Sequence, residues 1–160
     1  MTLTSQQETN IWVVSTAMGI LSILAGLSII YSYFRFETLR KFSFELVVFL
    51  AISDIGSNMT YFLGHRAELV GEGLCTLQGM TQQFFELASV LWTVVIGLTL
   101  WSSVVRQVKM ENRAAMHGFA WGTSFIIMLL PLSTDSYGPA GSWCWIKDKM
   151  PGTVWRTRIR

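Results

Sequence analysis

Two carboxylates interrupt stretches that otherwise carry no charge. Asp54 falls within an apolar run from Leu46 to Leu63, and Glu86 within a longer one that starts near Thr76 and reaches Val105. At 1.5 Å of helical rise per residue, Asp54 is roughly 15 Å from one end of its run and Glu86 roughly 16 Å from one end of its own. A carboxylate that deep in a hydrocarbon layer is costly, and by default it marks proton handling, cation contact or ligand contact. The competing reading is a protonated acid hydrogen-bonded to a neighbour, such as Glu86 to Gln82 one turn away. No apolar run of the chain contains Lys or Arg. The partners of the two acids are therefore water, a cation, each other through a shared proton, or helices outside this chain.

Polar and small residues recur around these acids at helical spacing. Asp54, Asn58, Tyr61 and His65 follow one another at steps of four, three and four. Gln82, Glu86, Ser89 and Thr93 do the same, on a face that begins at Cys75 and Gly79. Ser15, Gly19, Ser22 and Gly26 form a small-residue stripe, and Gly118-Phe-Ala-Trp121-Gly122 resembles a second. Such stripes are seams where membrane helices approach closely and satisfy one another's polar groups. The two small-residue stripes need no explanation beyond packing. His65 reads as a solvated interface residue, and tryptophans such as Trp12 and Trp101 as interface anchors. Asn58-Met-Thr60 matches a glycosylation pattern at a depth where it would not be used.

The elements that must carry these residues are four apolar helical spans, at about 11–33, 46–63, 76–105 and 114–133. The composition agrees: 51% of the residues are apolar and 14% charged, with the charges clustered between the runs. A net charge of +2 gives no reason to expect a nucleic-acid partner. The first run lacks a basic leader and is too long for the core of a signal peptide, so it reads as a span. The third, at about 30 residues or roughly 45 Å, exceeds a straight crossing and implies tilt or extension beyond the hydrocarbon. Arg35, Arg40 and Lys41 follow span one, and Arg106, Lys109 and Arg113 follow span three. By the positive-inside rule those links are cytoplasmic and the N-terminal segment 1–10 lies outside. The segment 134–160 is then also outside, although it carries Lys147, Lys149, Arg156, Arg158 and Arg160.

This topology, assigned without the cysteines, places Cys75 and Cys144 on the same oxidising side. A disulfide is one reading, and two buried free thiols are the other.

The residues resemble a known family, the slime-mould cyclic-AMP-receptor-like group of seven-helix G-protein-coupled receptors, over most of the chain and through their first four helices. The likeness is carried by Leu50-Ala-Ile-Ser-Asp54 and by Cys75-Thr-Leu-Gln78-Gly-Met-Thr-Gln-Gln-Phe84-Phe85. Ala88-Ser-Val-Leu-Trp92-Thr93, the pair Trp121 and Pro131, and Tyr137-Gly-Pro-Ala-Gly-Ser-Trp143-Cys144-Trp145-Ile146 complete it. A Cys-Trp pair in that last segment is shared with secretin-like receptors. The resemblance implies an all-α bundle, a multi-pass plasma-membrane location, an extracellular small-molecule ligand and a heterotrimeric G protein as cytoplasmic partner. Cyclic nucleotide is one ligand of the group, and pairing into receptor dimers is a further expectation. The resemblance also implies a Cys75–Cys144 disulfide and puts Asp54, with Asn58, in a buried polar network. It places Gln82, Gln83 and Glu86 where span three would face a ligand. Leu98-Thr-Leu-Trp101-Ser stands where rhodopsin-like receptors carry Asp-Arg-Tyr, so G-protein contact through that motif is not expected.

Trp155-Arg156 resembles the approach to a fifth helix, which gives the expectation of a truncated receptor that does not signal alone. The alternatives are a complete four-span protein that pairs with or modulates a receptor, and a piece of a transporter or channel. The sequence pattern contains no nucleophile–base pair, metal-ligand cluster or phosphate-cradling loop. Neither an enzyme nor a metal or cofactor site is therefore expected.

Overall fold

The computed structural model describes residues 5–63, 71–108, 112–140 and 143–146. His65, Lys109 and the basic segment from Lys147 to Arg160 lie outside the described residues. Helix α1 runs Ser5–Arg35 and α2 Phe42–Met59, prolonged by a 3-10 turn over Thr60–Leu63. Helix α3 covers Glu72–Trp101 and ends in a π turn, Ser102–Arg106. Helix α4 spans Arg113–Ser133 and contains a second π turn, Gly118–Gly122. Strands β1 (Tyr137–Pro139) and β2 (Cys144–Ile146) pair antiparallel, with Tyr137 opposite Ile146 and Pro139 opposite Cys144. The architecture is thus helical, with a small hairpin that the all-α expectation did not include.

Four stretches are long and apolar enough to cross a membrane: Thr9–Arg35, Phe42–Phe62, Glu72–Arg106 and Arg113–Ser133. Polarity in the bundle is distributed inside-out. Val14, Met18, Leu21 and Leu24 point outward from α1, as do Val90, Leu98 and Leu100 from α3 and Ile126 and Leu130 from α4. Ser53, Thr60, Gln78, Gln82, Thr99 and Ser124 are buried. In water those apolar faces would be a large unfavourable surface, whereas against lipid tails they cost nothing. Several interior hydroxyls return to their own helix. Ser53 donates to the Phe49 carbonyl at 3.0 Å, Thr99 to Val95 at 2.8 Å and Ser124 to Ala120 at 2.8 Å.

The small-residue stripe of α1 packs on α2. A Cβ at Gly19 would lie 3.2 Å from the Asn58 side-chain oxygen, and one at Gly26 2.9 Å from Ile55. The stripe of α4 behaves differently. A Cβ at Gly118 or Gly122 would meet nothing within 4 Å among the described residues. The α4 seam is made instead by Met116, Ala120 and Ser124, all buried, with Trp121 beside them. Gly118 and Gly122 stand two residues from that row, about 200° round the helix, and so face away from the seam.

Toward the end of the bundle where α2 and α4 begin and α3 finishes, these three helices close on aromatic rings. Trp92 is fully buried, stacked on Phe49 at 5.0 Å and edge-on to Trp121 at 5.9 Å. His117 sits edge-on to both Phe49, at 4.5 Å, and Trp92, at 5.1 Å. Below them Arg113 pairs with Glu45 at 3.0 Å, its guanidinium lying 5.7 Å from the Phe42 ring centroid. The pair ties the starts of α2 and α4. With Arg113 largely solvent-facing, its energetic contribution is within about 1 kcal/mol.

The α2–α3 seam is tightest at Gly56, where an added Cβ would fall 2.5–2.6 Å from three atoms of the Phe85 ring. Gly56→Ala is expected to displace that ring and lower stability by about 1–3 kcal/mol. The loss should appear as a lower midpoint in a thermal melt in detergent. Ala added at Gly97, where nothing lies within 4 Å, should leave the midpoint unchanged or raise it.

Candidate functional site

The N-terminal half of α3 carries its polar groups on adjoining rows. Gln78 and Gln82 are one turn apart and both buried, and Glu86 follows one turn deeper, half-buried. Gln82 Nε2 donates to Glu86 Oε1 at 2.6 Å and to the Tyr61 hydroxyl at 3.2 Å. Gln82 Oε1 lies 2.8 Å from Thr60 Oγ1. Gln78 Nε2 donates to the Thr60 carbonyl at 2.9 Å, and Gln78 Oε1 accepts from the Cys144 N–H at 3.3 Å. Thr60, at the start of the 3-10 turn that ends α2, offers its carbonyl to Gln78 and its hydroxyl to Gln82.

The hairpin lies on the head of α3. Cys75 and Cys144 are disulfide-bonded, with Cα atoms 5.2 Å apart. Closing a loop across a sequence separation of 69 confines a water-unfolded chain by about 4 kcal/mol, an upper bound because membrane insertion already restricts the chain. Gly79 permits the close approach: a Cβ there would sit 2.8 Å from Tyr137 and 3.3 Å from the Trp145 backbone. Trp145 donates its indole N–H to Gln83 Oε1 at 2.9 Å, and Trp143 packs edge-on to Tyr61 at 5.9 Å. The Tyr137 hydroxyl donates to the Met128 carbonyl of α4 at 2.8 Å. The hairpin therefore ties α3 and α4 to each other through covalent and polar links.

The residues singled out by spacing do not all converge. Gln82 and Glu86 belong to the ladder, whereas Gln83 lies 100° further round α3 and faces the hairpin. The stripe on α2 also divides. Asp54 accepts from Ser89 Oγ on α3 at 2.6 Å, whereas Asn58 donates to Ser22 Oγ on α1 at 3.1 Å and to the Asp54 backbone carbonyl at 2.7 Å. The other flank of Asp54 borders a cavity of about 130 Å³ between α1 and α2, lined by Ser22, Gly26, Val47, Leu50 and Ala51. Thr93, assigned to the polar face, is exposed and donates to its own helix at Ser89; Trp92 occupies the buried position instead. Spacing missed Thr60 and Gln78. Gln78 was readable, since it stands one turn from Gln82 as Gln82 stands from Glu86. Thr60 was not, because its role depends on a change of helix type at its own position.

Burial holds the Tyr137 phenol above its ordinary value of 10.0. The neutral hydroxyl is the form that fits the hairpin, so its contribution is complete below pH 10.0. Above that value the unfolded chain ionises first, and the contribution falls as pH rises through the folded value. Trp fluorescence of the docked hairpin should show this alkaline transition. Tyr137→Phe should abolish it while costing about 1 kcal/mol at neutral pH through the lost hydrogen bond.

With this geometry in place, comparison with known proteins is specific. The sequence model of the family described as "Slime mold cyclic AMP receptor" matches residues 2–157. A protein of Arabidopsis thaliana named G-protein coupled receptor 1 is 34% identical over 94% of this chain and 46% of its own length. Cyclic AMP receptor-like protein A of Dictyostelium discoideum is 32% identical over 89% of this chain and 37% of its own length. Squid rhodopsin superposes with a TM-score of 0.78 at 16% identity, covering 92% of this chain and 47% of the rhodopsin chain. The four helices thus correspond to the first four of a seven-helix receptor bundle. The chain spans less than half the length of these relatives.

Proposed function

The chain belongs to the slime mold cyclic AMP receptor family, and from that premise we propose that it supplies the ligand-facing front of a cell-surface G-protein-coupled receptor. The family is one of receptors, so the chain is not an enzyme. In the proposed arrangement the N-terminus and the hairpin face the outside of the plasma membrane. Arg35, Arg40, Lys41, Arg106 and Arg113 face the cytoplasm, consistent with the basic bias of those links. The ladder Thr60–Gln82–Glu86 and the hairpin-bound Gln83 are the proposed contacts for an extracellular small molecule.

The observation that carries this reading is the set of amide and carboxyl groups held just beneath a disulfide-pinned hairpin. Buried polar groups placed so near the outer mouth of a membrane bundle suit recognition by hydrogen bonds. A cyclic nucleotide is the first ligand to test, given the name of the Dictyostelium relative. Its base and ribose would be read by Gln82, Gln83 and Glu86. Asp54 and Asn58 are proposed to hold α1, α2 and α3 in register beneath the site rather than to touch ligand.

The 160 residues are proposed not to activate a heterotrimeric G protein alone, since the relatives are more than twice as long. A second reading, that the chain pairs with an intact receptor, draws on the cavity beside Asp54, which leaves a carboxylate edge at the α1–α2 surface. The test is nucleotide exchange on G protein in membranes holding the chain alone, the chain extended by the remaining helices of the Arabidopsis relative, or the chain with that intact relative. Activation by cyclic AMP only in the extended form is expected, reduced at least tenfold by Glu86→Ala. Exchange driven by the chain alone would refute insufficiency. A change in the intact relative's response on co-expression would favour the pairing reading.

A further inference from the structure

One end of the bundle, where α1 and α3 finish and α2 and α4 begin, carries five basic residues against two acids among the described residues. Arg35, Arg40, Lys41, Arg106 and Arg113 stand there with Glu37 and Glu45. Arg113 is committed to Glu45 at 3.0 Å, and the Arg106 guanidinium lies 5.2 Å from the Trp101 ring centroid. The other three basic residues belong to the short link from α1 to α2. Among the described residues no ion pair joins any of them to Glu37 or to another acid.

The link is folded rather than slack. The backbone N–H groups of Leu39, Arg40 and Lys41 donate to the carbonyls of Phe36, Glu37 and Leu39 at 3.1, 3.1 and 2.7 Å. Arg40 turns back onto α1, its Nη2 donating to the Phe34 carbonyl at 2.7 Å. Capping a last-turn carbonyl accounts for one donor, and a guanidinium has five. Arg35, next to Phe34, lays its guanidinium 5.8 Å from the Phe36 ring centroid and donates no side-chain hydrogen bond among the described residues. Two planar cations are thus held at the end of one helix with most of their N–H groups free.

The rings beside them indicate what they meet. Phe34 is 65% exposed and Phe36 51%, and Tyr31, one turn earlier on α1, is 66% exposed. Water penalises such rings, whereas the boundary between acyl chains and headgroups accommodates them. A free phosphate would satisfy the guanidinium groups and leave the rings in water. A phospholipid satisfies both, with its phosphate on the guanidinium forks and its chains against the rings.

We propose that Arg35 and Arg40 bind the headgroup phosphate of an anionic phospholipid, whose acyl chains lie along Tyr31, Phe34 and Phe36. Lys41 adds charge from the link. In the orientation proposed above, this end meets the cytoplasmic leaflet, whose anionic lipids draw basic residues near the surface. The contact fixes the depth of α1 and ties the start of α2 to the membrane surface. It requires only that the chain span a membrane, whichever small molecule or G protein the receptor reading gives it.

The test is native mass spectrometry of the whole chain, stripped of lipid in detergent and titrated with phosphatidylinositol phosphate or with phosphatidylcholine. The chain is expected to retain the anionic lipid in preference to phosphatidylcholine. Arg35→Gln and Arg40→Gln should each weaken retention about fivefold, and the double variant about twenty-fivefold. Arg35→Gln removes no hydrogen bond within the described residues, so its thermal melt should match the parent and separate loss of lipid from loss of fold. Lys147→Gln with Lys149→Gln removes as much charge elsewhere and should leave retention unchanged. An equal loss there would show that retention follows net charge and would overturn the site. Soluble inositol bisphosphate in excess should not displace the lipid; displacement would assign the site to a free phosphate instead. Equal retention of the two lipids, or undiminished retention in the double variant, would overturn the proposal. Loss of the lipid in the chain extended by the remaining helices of the Arabidopsis relative would reassign the patch to helix packing. None of these outcomes depends on cyclic-nucleotide binding or G-protein exchange.

Discussion

A helix in hydrocarbon has no water to fall back on, so every polar side chain it brings into the layer must find its partner within the protein. This constraint orders the bundle. Several hydroxyls without an interhelical partner bond the carbonyl one turn back, as Ser53, Thr99 and Ser124 do. Longer side chains can also reach across to a neighbouring helix, and there the amides and acids mark the seams. Asn58 binds α1 to α2 through Ser22, and Asp54 and Gln82 bind α2 to α3 through Ser89 and Thr60. Apolar contact would hold these helices together only weakly against lipid, so the polar contacts also set their register.

Much of this arrangement was legible in the sequence because the constraint acts on residue type. Charge-free runs of sufficient length mark the crossings, and the few polar residues inside them mark contacts. The resemblance to cyclic-AMP-receptor-like proteins follows from motifs such as Tyr137–Ile146 and is matched by the family model over nearly the whole chain. The Cys75–Cys144 link was readable as two cysteines on one face of the membrane.

What was not legible depends on local changes of helical geometry. A stripe drawn at steps of three and four is wide enough to include neighbours that point to different partners. Asp54 and Asn58 share such a stripe yet serve α3 and α1 respectively. Gln82 and Gln83 are adjacent yet serve α2 and the hairpin. A π turn lies within α4 at Gly118–Gly122, and a 3-10 turn at Thr60–Leu63 prolongs α2. Neither turn has a residue signature that period counting detects. His117 stands near the start of α4. Its place among Phe49 and Trp92 follows from how three helices converge, which no single segment contains.

The disulfide has a consequence for the order in which the bundle is made. Cys75 heads α3, and Cys144 follows α4, 69 positions later in the chain. The two thiols share a side when both intervening helices have crossed, in opposite directions, and are parted when only one has. A chain in which α4 stalled, or crossed with α3 still outside the bilayer, would hold its cysteines apart. The closed bond is therefore incompatible with a chain in which only one of the two helices has crossed.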